Sequence, residues 1–93
     1  MYKILEAKTL AGNIYEMVVE APRVAKRCLP GQFIIVKLDE EAERVPLTIC
    51  DYDREKGTIT IVFQPIGAST HRYVGLKAGD SFMDFVGPLG KPS

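Results

Sequence analysis

The residues best suited to hold an anionic ligand begin at the stretch 44–49, which follows an acidic loop and opens a strand-like segment. Arg44 carries a planar, permanently charged guanidinium that suits phosphate, and Thr48 adds a hydroxyl. Pro46 has no backbone N–H, so a strand that begins there loses one ladder bond and leaves nearby backbone able to face a ligand. This stretch is a candidate anion-binding strand.

A second candidate is the stretch 64–70, in which a strand ends, a turn of small residues follows and a helix is predicted to start. The first N–H groups of a helix are unpaired and carry partial positive charge, so a small-residue turn that leads into one can cradle phosphate. Gly67, Ser69 and Thr70 are the residues of this turn that would face a diphosphate.

Both stretches have simpler interpretations that the residues alone leave open. Arg44 can form a surface ion pair with Glu41 or Glu43, which would be of little energetic weight. Ser69 or Thr70 can cap its own helix without any ligand.

The remaining reactive side chains form no recognisable catalytic or metal-binding set. Cys28 and Cys50 stand alone, without a CxxC pair or a histidine at ligand spacing, and we interpret them as reduced thiols. Cys50 is expected to be a small buried apolar residue, although it follows the candidate strand and could also lie near a ligand. His71, the only histidine, is expected on a helix surface. At the end of the same strand, Asp51 could accept hydrogen bonds from a ligand and Tyr52 could stack on a ring.

The elements that must position these residues come from a short chain of ordinary globular composition. It has 93 residues, 46% hydrophobic and 26% charged, which is enough for one compact core. Twelve basic and twelve acidic residues balance, so no net field attracts nucleic acid or an anionic membrane. The N-terminal residues lack the long apolar run of a signal peptide or membrane span, so we expect a cytoplasmic protein.

Short apolar runs separated by Gly, Pro and Asp predict strands rather than helices. Six strands are expected, at 4–10, 14–20, 32–38, 45–52, 58–64 and 81–86, and two short helices, at 21–29 and 69–76. In the fifth strand the side chains of Ile59, Ile61 and Phe63 alternate toward a core, with Thr58 and Thr60 opposite. The pattern is that of an all-β domain, a closed or nearly closed antiparallel barrel or sandwich with one or two short helices.

Five motifs, taken in order, resemble the flavin domain of the ferredoxin-NADP reductase superfamily. They are Pro30-Gly31-Gln32-Phe33, Arg44-Val45-Pro46-Leu47-Thr48-Ile49, Gly67-Ala68-Ser69-Thr70, Leu76-Lys77-Ala78-Gly79-Asp80 and Gly87-Pro88-Leu89-Gly90. Within that superfamily the sequence is similar to the electron transfer subunits of dihydroorotate dehydrogenase and of NADH-dependent reduced ferredoxin:NADP oxidoreductase. The resemblance spans nearly the whole chain.

The resemblance implies a six-stranded antiparallel Greek-key barrel that binds FAD along its edge. Carried over motif by motif, Arg44 is the phosphate cation. The residues that would line the flavin are Pro46, Leu47, Thr48 and Ile49, and those of the diphosphate turn are Gly67, Ser69 and Thr70. Two positions differ from many relatives, which have an aromatic residue where Leu47 stands and a glycine where Ser69 stands.

The implied activity is electron transfer by a flavoprotein oxidoreductase, between NAD(P)H and an iron–sulfur protein or larger partner subunit. Residues 1–87 would form the FAD-binding barrel, and 88–93 would begin the connection to an NAD(P)-binding domain that this sequence lacks. We therefore expect a fragment that is inactive alone, with no catalytic side chain and no metal of its own, and with no role in binding nucleic acid or membrane. The alternative is a cofactor-free β-barrel that serves as a protein-interaction or regulatory module.

Overall fold

The structure, a computed structural model, describes residues 2–29, 31–64 and 72–90. Strands β1 (Tyr2–Ala11) and β2 (Ile14–Glu20) are followed by helix α1 (Pro22–Arg27) and by β3 (Phe33–Lys37), β4 (Val45–Asp53) and β5 (Thr58–Phe63). A 3-10 helix (Arg72–Gly75) precedes the short strands β6 (Ser81–Phe82) and β7 (Asp84–Leu89).

The strands form a single sheet in the order β6-β1-β2-β5-β4-β3-β7, and every described pairing is antiparallel. The consecutive strands β3, β4 and β5 form a meander that places β5 beside β2, which is Greek-key connectivity. The predicted all-β antiparallel barrel is thus confirmed.

The one difference in strand count lies in the last predicted strand, 81–86, which is split at Met83. Its first part, β6, pairs with β1, whereas its second part, β7, pairs with β3 at the opposite edge of the sheet. Between them the backbone N–H of Met83 donates to the carbonyl of Lys37 at 2.9 Å. A single chain segment therefore bridges the two edges and nearly closes the barrel, because each edge strand needs a partner for its free backbone groups.

The core follows the predicted alternation of side chains. Ile59 and Ile61 are 0% exposed and Phe63 is 6% exposed, so the predicted inward face of β5 is confirmed. Thr58 and Thr60 line a depression on the opposite face. Edge-to-face contacts join Tyr73, in the 3-10 helix, to Phe63 and to Phe82. These contacts attach the 3-10 helix to β5 and β6.

Helix α1 confirms the first predicted helix, 21–29, in a shorter form. Pro22 stands at its first position, where a missing N–H costs nothing, and Val24 and Ala25 face the core. The start of the helix rests on the β4–β5 turn, because the N–H of Ala21 donates to Gly57 at 2.9 Å. Gly57 has φ +69°, and a Cβ there would lie 3.0 Å from Pro22, so this contact requires glycine.

The second predicted helix, 69–76, is described only in its last part, which is the 3-10 helix Arg72–Gly75. His71 lies outside the described residues, and its expected surface position stays a prediction.

At the C-terminal side, β7 continues to Leu89, two residues beyond the expected end of the barrel at residue 87. The buried Gln32 fixes this end of the strand: its Nε2 donates to the carbonyl of Gly90 at 3.0 Å, and its Oε1 accepts the N–H of Leu29 at 2.9 Å. Leu89, which pairs with Phe33, and Gly90 therefore belong to the barrel's network of backbone contacts.

Candidate functional site

The candidate anion-binding strand, β4, changes its pairing partner halfway along. Residues 45–48 pair with β3, from Val45 opposite Val36 to Thr48 opposite Phe33. From Ile49 onward the strand pairs with β5 instead. Within the described part of the chain, the first half of β4 thus has a strand neighbour on one edge only. We call the gap in the described strand pairing between residues 45–48 and the end of β5 the opening, and the backbone N–H and C=O groups of this edge have no described strand partner. Such groups need a partner, which a ligand or water can supply.

The far side of this opening is the end of β5. Val62 and Phe63 still pair with β2, but they lie beyond Ile61, the last β5 residue paired with β4. The chain then enters 65–71, which contains the predicted diphosphate turn. Gly67, Ser69 and Thr70 lie outside the described residues, so their assignment to the site stays a prediction.

Side chains along β4 alternate between the outer face and the core. Pro46, Thr48 and Cys50 are exposed, whereas Leu47 and Ile49 are only 6% and 7% exposed. A ligand in the opening would therefore meet the side chains of Pro46 and Thr48, and mainly the backbone of Leu47. Ile49 is buried, pairs with Ile61 and donates its N–H to the carbonyl of Gln32 at 3.1 Å, so its predicted place beside the flavin stays a prediction. The expectation that Cys50 is buried is wrong, because the alternation places it on the outer face with Thr48.

Arg44 stands directly before β4 and remains available to a ligand. Its Nη2 lies 3.3 Å from Oδ2 of Asp84, at the start of β7, and 56% of its side chain is exposed. The predicted surface ion pair therefore exists, but with Asp84 rather than with the acidic loop before Arg44. An exposed pair of this kind contributes little to stability and can open when a stronger anion arrives.

Two residues near the site were not among the predicted site residues. Phe33 lies opposite Thr48 in the β3–β4 register, so both side chains share the outer face, and its ring packs against Gly90. Phe33 stands in the first of the five motifs, which is the sequence feature that could have identified it. The second residue is Asp84, and no local pattern points to it because it is far from Arg44 in sequence.

The far end of β4 is already occupied by contacts within the protein. Oδ1 of Asp51 accepts the N–H of Tyr52 at 2.8 Å. The Arg54 guanidinium lies over the Tyr52 ring, 5.3 Å from its centroid, and donates to the carbonyl of Cys28 at 2.7 Å. One face of the Tyr52 ring is therefore covered, which leaves less of it for the predicted stacking on a ligand.

Both cysteines are free thiols, as expected. Burial raises the pKa of the Cys28 thiol, and the nearby positive charge of Arg54 opposes that shift. No group of His, Cys, Asp and Glu side chains able to hold a metal ion occurs in residues 2–29, 31–64 and 72–90. None of the described helices is long and apolar enough to cross a membrane.

Comparison with known proteins gives relatives that cover the whole chain. No protein-family model matches it. An uncharacterised protein from the adh 3' region of Clostridium beijerinckii is 60% identical over 93 residues, which are 100% of this chain and 31% of that protein. A homologue of the dihydroorotate dehydrogenase B electron transfer subunit from Thermotoga maritima is 37% identical over 91 residues, 98% of this chain and 32% of that protein. The chain thus spans about a third of the length of these relatives.

Solved structures give the same relationship. A chain of NADH-dependent reduced ferredoxin-NADP oxidoreductase, a flavin-based electron-bifurcating enzyme, superposes with a TM-score of 0.96 at 36% identity, covering 100% of this chain and 34% of that one. A cytochrome P450 reductase of Amycolatopsis superposes with a TM-score of 0.74 at 20% identity, covering 97% of this chain and 28% of that one, which shows a shared fold. The resemblance to electron transfer subunits that the five motifs indicate is confirmed by these relatives, each of which the chain matches over about a third of that protein's length.

Proposed function

We propose that this chain is the FAD-binding domain of an electron-transfer flavoprotein oxidoreductase that passes electrons between NAD(P)H and an iron–sulfur protein or a partner subunit. The observation that carries the proposal is similarity over the entire chain to electron transfer subunits, in sequence and in structure. The geometry of β4 supports it.

In this proposal an FAD molecule would lie along the opening with its diphosphate beside Arg44. The Arg44 guanidinium would release Asp84 and donate charged hydrogen bonds to the diphosphate, for which its planar fork is well suited. The unpaired edge of residues 45–48 would bond the polar edge of the flavin ring, and the Thr48 hydroxyl would lie beside it on the outer face. Gly67, Ser69 and Thr70 would complete the diphosphate site.

The chain's own contribution is binding and orientation. Flavin, when bound, supplies the redox chemistry: it accepts two electrons as a hydride and can release them one at a time. A site of this kind needs hydrogen-bond donors and a fixed orientation, and it needs no nucleophile or general acid on the protein. Arg44, Thr48 and the β4 backbone supply these groups.

Titration of the apoprotein with FAD, followed by flavin fluorescence, tests the proposal directly. FAD is expected to bind much more tightly than riboflavin, which has no phosphate for Arg44 to contact. Equal affinity for FAD and riboflavin would contradict the proposed diphosphate site. If neither bound, a cofactor-free interaction module would be favoured. That alternative draws its support from Leu47, a buried residue where many relatives carry an aromatic.

The diphosphate turn has its own test in Gly67→Val, because a branched Cβ should block close approach of the phosphate. Gly75→Val is the matched control, since a Cβ at Gly75 meets nothing within 4 Å. Loss of FAD affinity in the Gly67 variant alone is expected. A large fall in the thermal midpoint with unchanged affinity would mean a structural glycine instead.

The proposed dependence on a separate nucleotide domain is tested by reduction rates. The 93-residue chain loaded with FAD is expected to be reduced readily by dithionite but slowly by NADH or NADPH in anaerobic stopped flow. Holding two reactants together is worth an effective concentration of about 10⁵ M or more, so a missing nucleotide site should cost several powers of ten. Fast, saturable reduction by either nucleotide would show a nucleotide site within these residues.

A further inference from the structure

A groove between α1 and β7 is lined by three positively charged side chains. Arg23, Lys26 and Arg27 line it, and all three are exposed because Val24 and Ala25 form the inner side of the helix. None of the described residues that line the groove is acidic. No described ion pair involves these three cations, although the whole chain is neutral.

Apolar surface continues from this groove toward the candidate flavin site. Val86, which lines the groove, is 45% exposed, and it lies opposite Ile35 in the β3–β7 register. Ile35 in turn lies opposite Pro46 of β4. Residues directly opposite in an antiparallel pair point to the same face, so these three side chains form a row across the outside of the barrel. Neighbouring strands are about 4.8 Å apart, which places Val86 roughly 10 Å from the strand proposed to hold the flavin.

An apolar centre beside unpaired arginines is the composition of a protein interface rather than of a nucleic-acid site. Arginine is enriched at such interfaces, and a polar rim around an apolar patch gives specificity. Three cations in a groove whose described lining holds no acidic residue call for carboxylates on the other side, since like charges would repel. An apolar row that reaches the cofactor would also place a redox partner close to it.

We propose that the docking face, defined as Arg23, Lys26 and Arg27 together with Val86 and Ile35, binds an acidic, partly apolar surface of the partner polypeptide. This inference rests on the proposed electron-transfer function, which requires a partner to approach the flavin. It adds which face of the barrel that partner contacts and what chemistry its surface carries.

The test uses amide NMR spectra of the full chain during titration with a short synthetic peptide of alternating glutamate and leucine. Amide shifts are expected in α1 and β7, with an affinity that falls as salt rises, because exposed charges are screened beyond about 10 Å at 0.1 M salt. The triple variant Arg23→Gln, Lys26→Gln, Arg27→Gln should bind the peptide roughly tenfold more weakly. The variant Val86→Ser should weaken it by a smaller factor.

A matched triple variant, Lys3→Gln, Lys8→Gln, Lys56→Gln, removes the same charge from exposed positions elsewhere and should leave peptide binding nearly unchanged. A peptide with glutamine in place of glutamate should not bind. Equal binding by the two triple variants, or shifts that avoid α1 and β7, would overturn the proposal. Binding of phosphatidylglycerol vesicles or inorganic pyrophosphate at this face instead of the peptide would overturn it in favour of a lipid or phosphate site.

FAD titration of both triple variants separates this inference from the proposed function. Unchanged FAD affinity with lost peptide binding is the expected result. Normal peptide binding by a chain that takes up no FAD would preserve the docking face and refute the flavin proposal.

Discussion

An arginine stands at each end of β4, and the two have opposite surroundings. Arg44, before the strand, has one described ion pair, at 3.3 Å to an exposed carboxylate, and the backbone beside it has a single strand neighbour among the described residues. Arg54, after the strand, donates to a backbone carbonyl at 2.7 Å and covers an aromatic ring, beside a turn whose N–H groups are bonded to Asp53. The same side chain is available to a ligand at one end and committed to the fold at the other.

The comparison also shows how one strand serves two purposes. Its second half pairs with β5 and leads into the turn that supports α1, so it holds the barrel together. Among the described residues its first half pairs on one side only. The candidate site lies at this half, on a strand whose position is fixed by its other half.

The largest effect is expected from Arg44→Ala. It removes a charged hydrogen bond to the diphosphate worth about 1.5 to 3 kcal/mol, which corresponds to a roughly ten- to hundredfold loss of FAD affinity. The thermal midpoint should hardly change, because an exposed ion pair contributes little. Fluorescence titration and thermal unfolding measure the two quantities.

Lys8→Ala is the matched control for that variant. Lys8 also makes a 3.3 Å ion pair, with Glu16, and its side chain is 58% exposed, but it lies on β1, far along the sheet from β4. Equal FAD affinity in the Arg44 variant and the wild type would break the assignment of Arg44.

Arg54→Ala should give the reverse result, with lower stability and unchanged FAD affinity. The loss of the hydrogen bond to Cys28 and of the ring contact is expected to cost about 1 to 2 kcal/mol, or a fall of roughly 5–15 °C in the thermal midpoint. A change in FAD affinity without a change in midpoint would reverse the comparison between the two arginines.

The contact between Arg54 and Cys28 should affect how stability depends on pH. Because burial raises the pKa of its thiol, the folded state holds the thiol proton more tightly than the unfolded state. Stability from this group is therefore complete below the ordinary thiol pKa of about 8.5 and declines as pH rises above it. Arg54→Ala should make this decline in stability larger, since the charge of Arg54 lowers the pKa of the Cys28 thiol. Cys28→Ala should abolish the decline. Urea unfolding across the alkaline range would show this, and equal slopes in all three proteins would contradict it.

The smallest effect is expected from Asp84→Asn. Without its carboxylate partner Arg44 no longer has to break an ion pair, and a negative charge near the diphosphate is removed, so FAD should bind a few-fold more tightly. A double-mutant cycle with Arg44→Ala would show whether the gain passes through Arg44. An equal gain in the Arg44→Ala background would mean that it does not.

Much of the candidate site could be predicted from local sequence. The opening strand was found from Arg44, Pro46 and Thr48, because a proline that removes a ladder bond and a cation beside it are neighbours in the chain. Two features of the site could not be found in this way. The inward direction of Leu47 and the outward direction of Cys50 depend on the register of β4 in the sheet, and a shift by one residue would have reversed both.

Local sequence patterns were enough to predict the strands and their inward faces, as the alternation of Ile59, Ile61 and Phe63 shows, because side-chain period and turn residues are local properties of the chain. The closure of the barrel through the split at Met83, and the acceptors that Arg44 and Arg54 find, could be seen in the folded molecule alone. These contacts join residues that are distant along the chain. Their pairing is settled by how the sheet curls and registers, and local patterns carry no information about that.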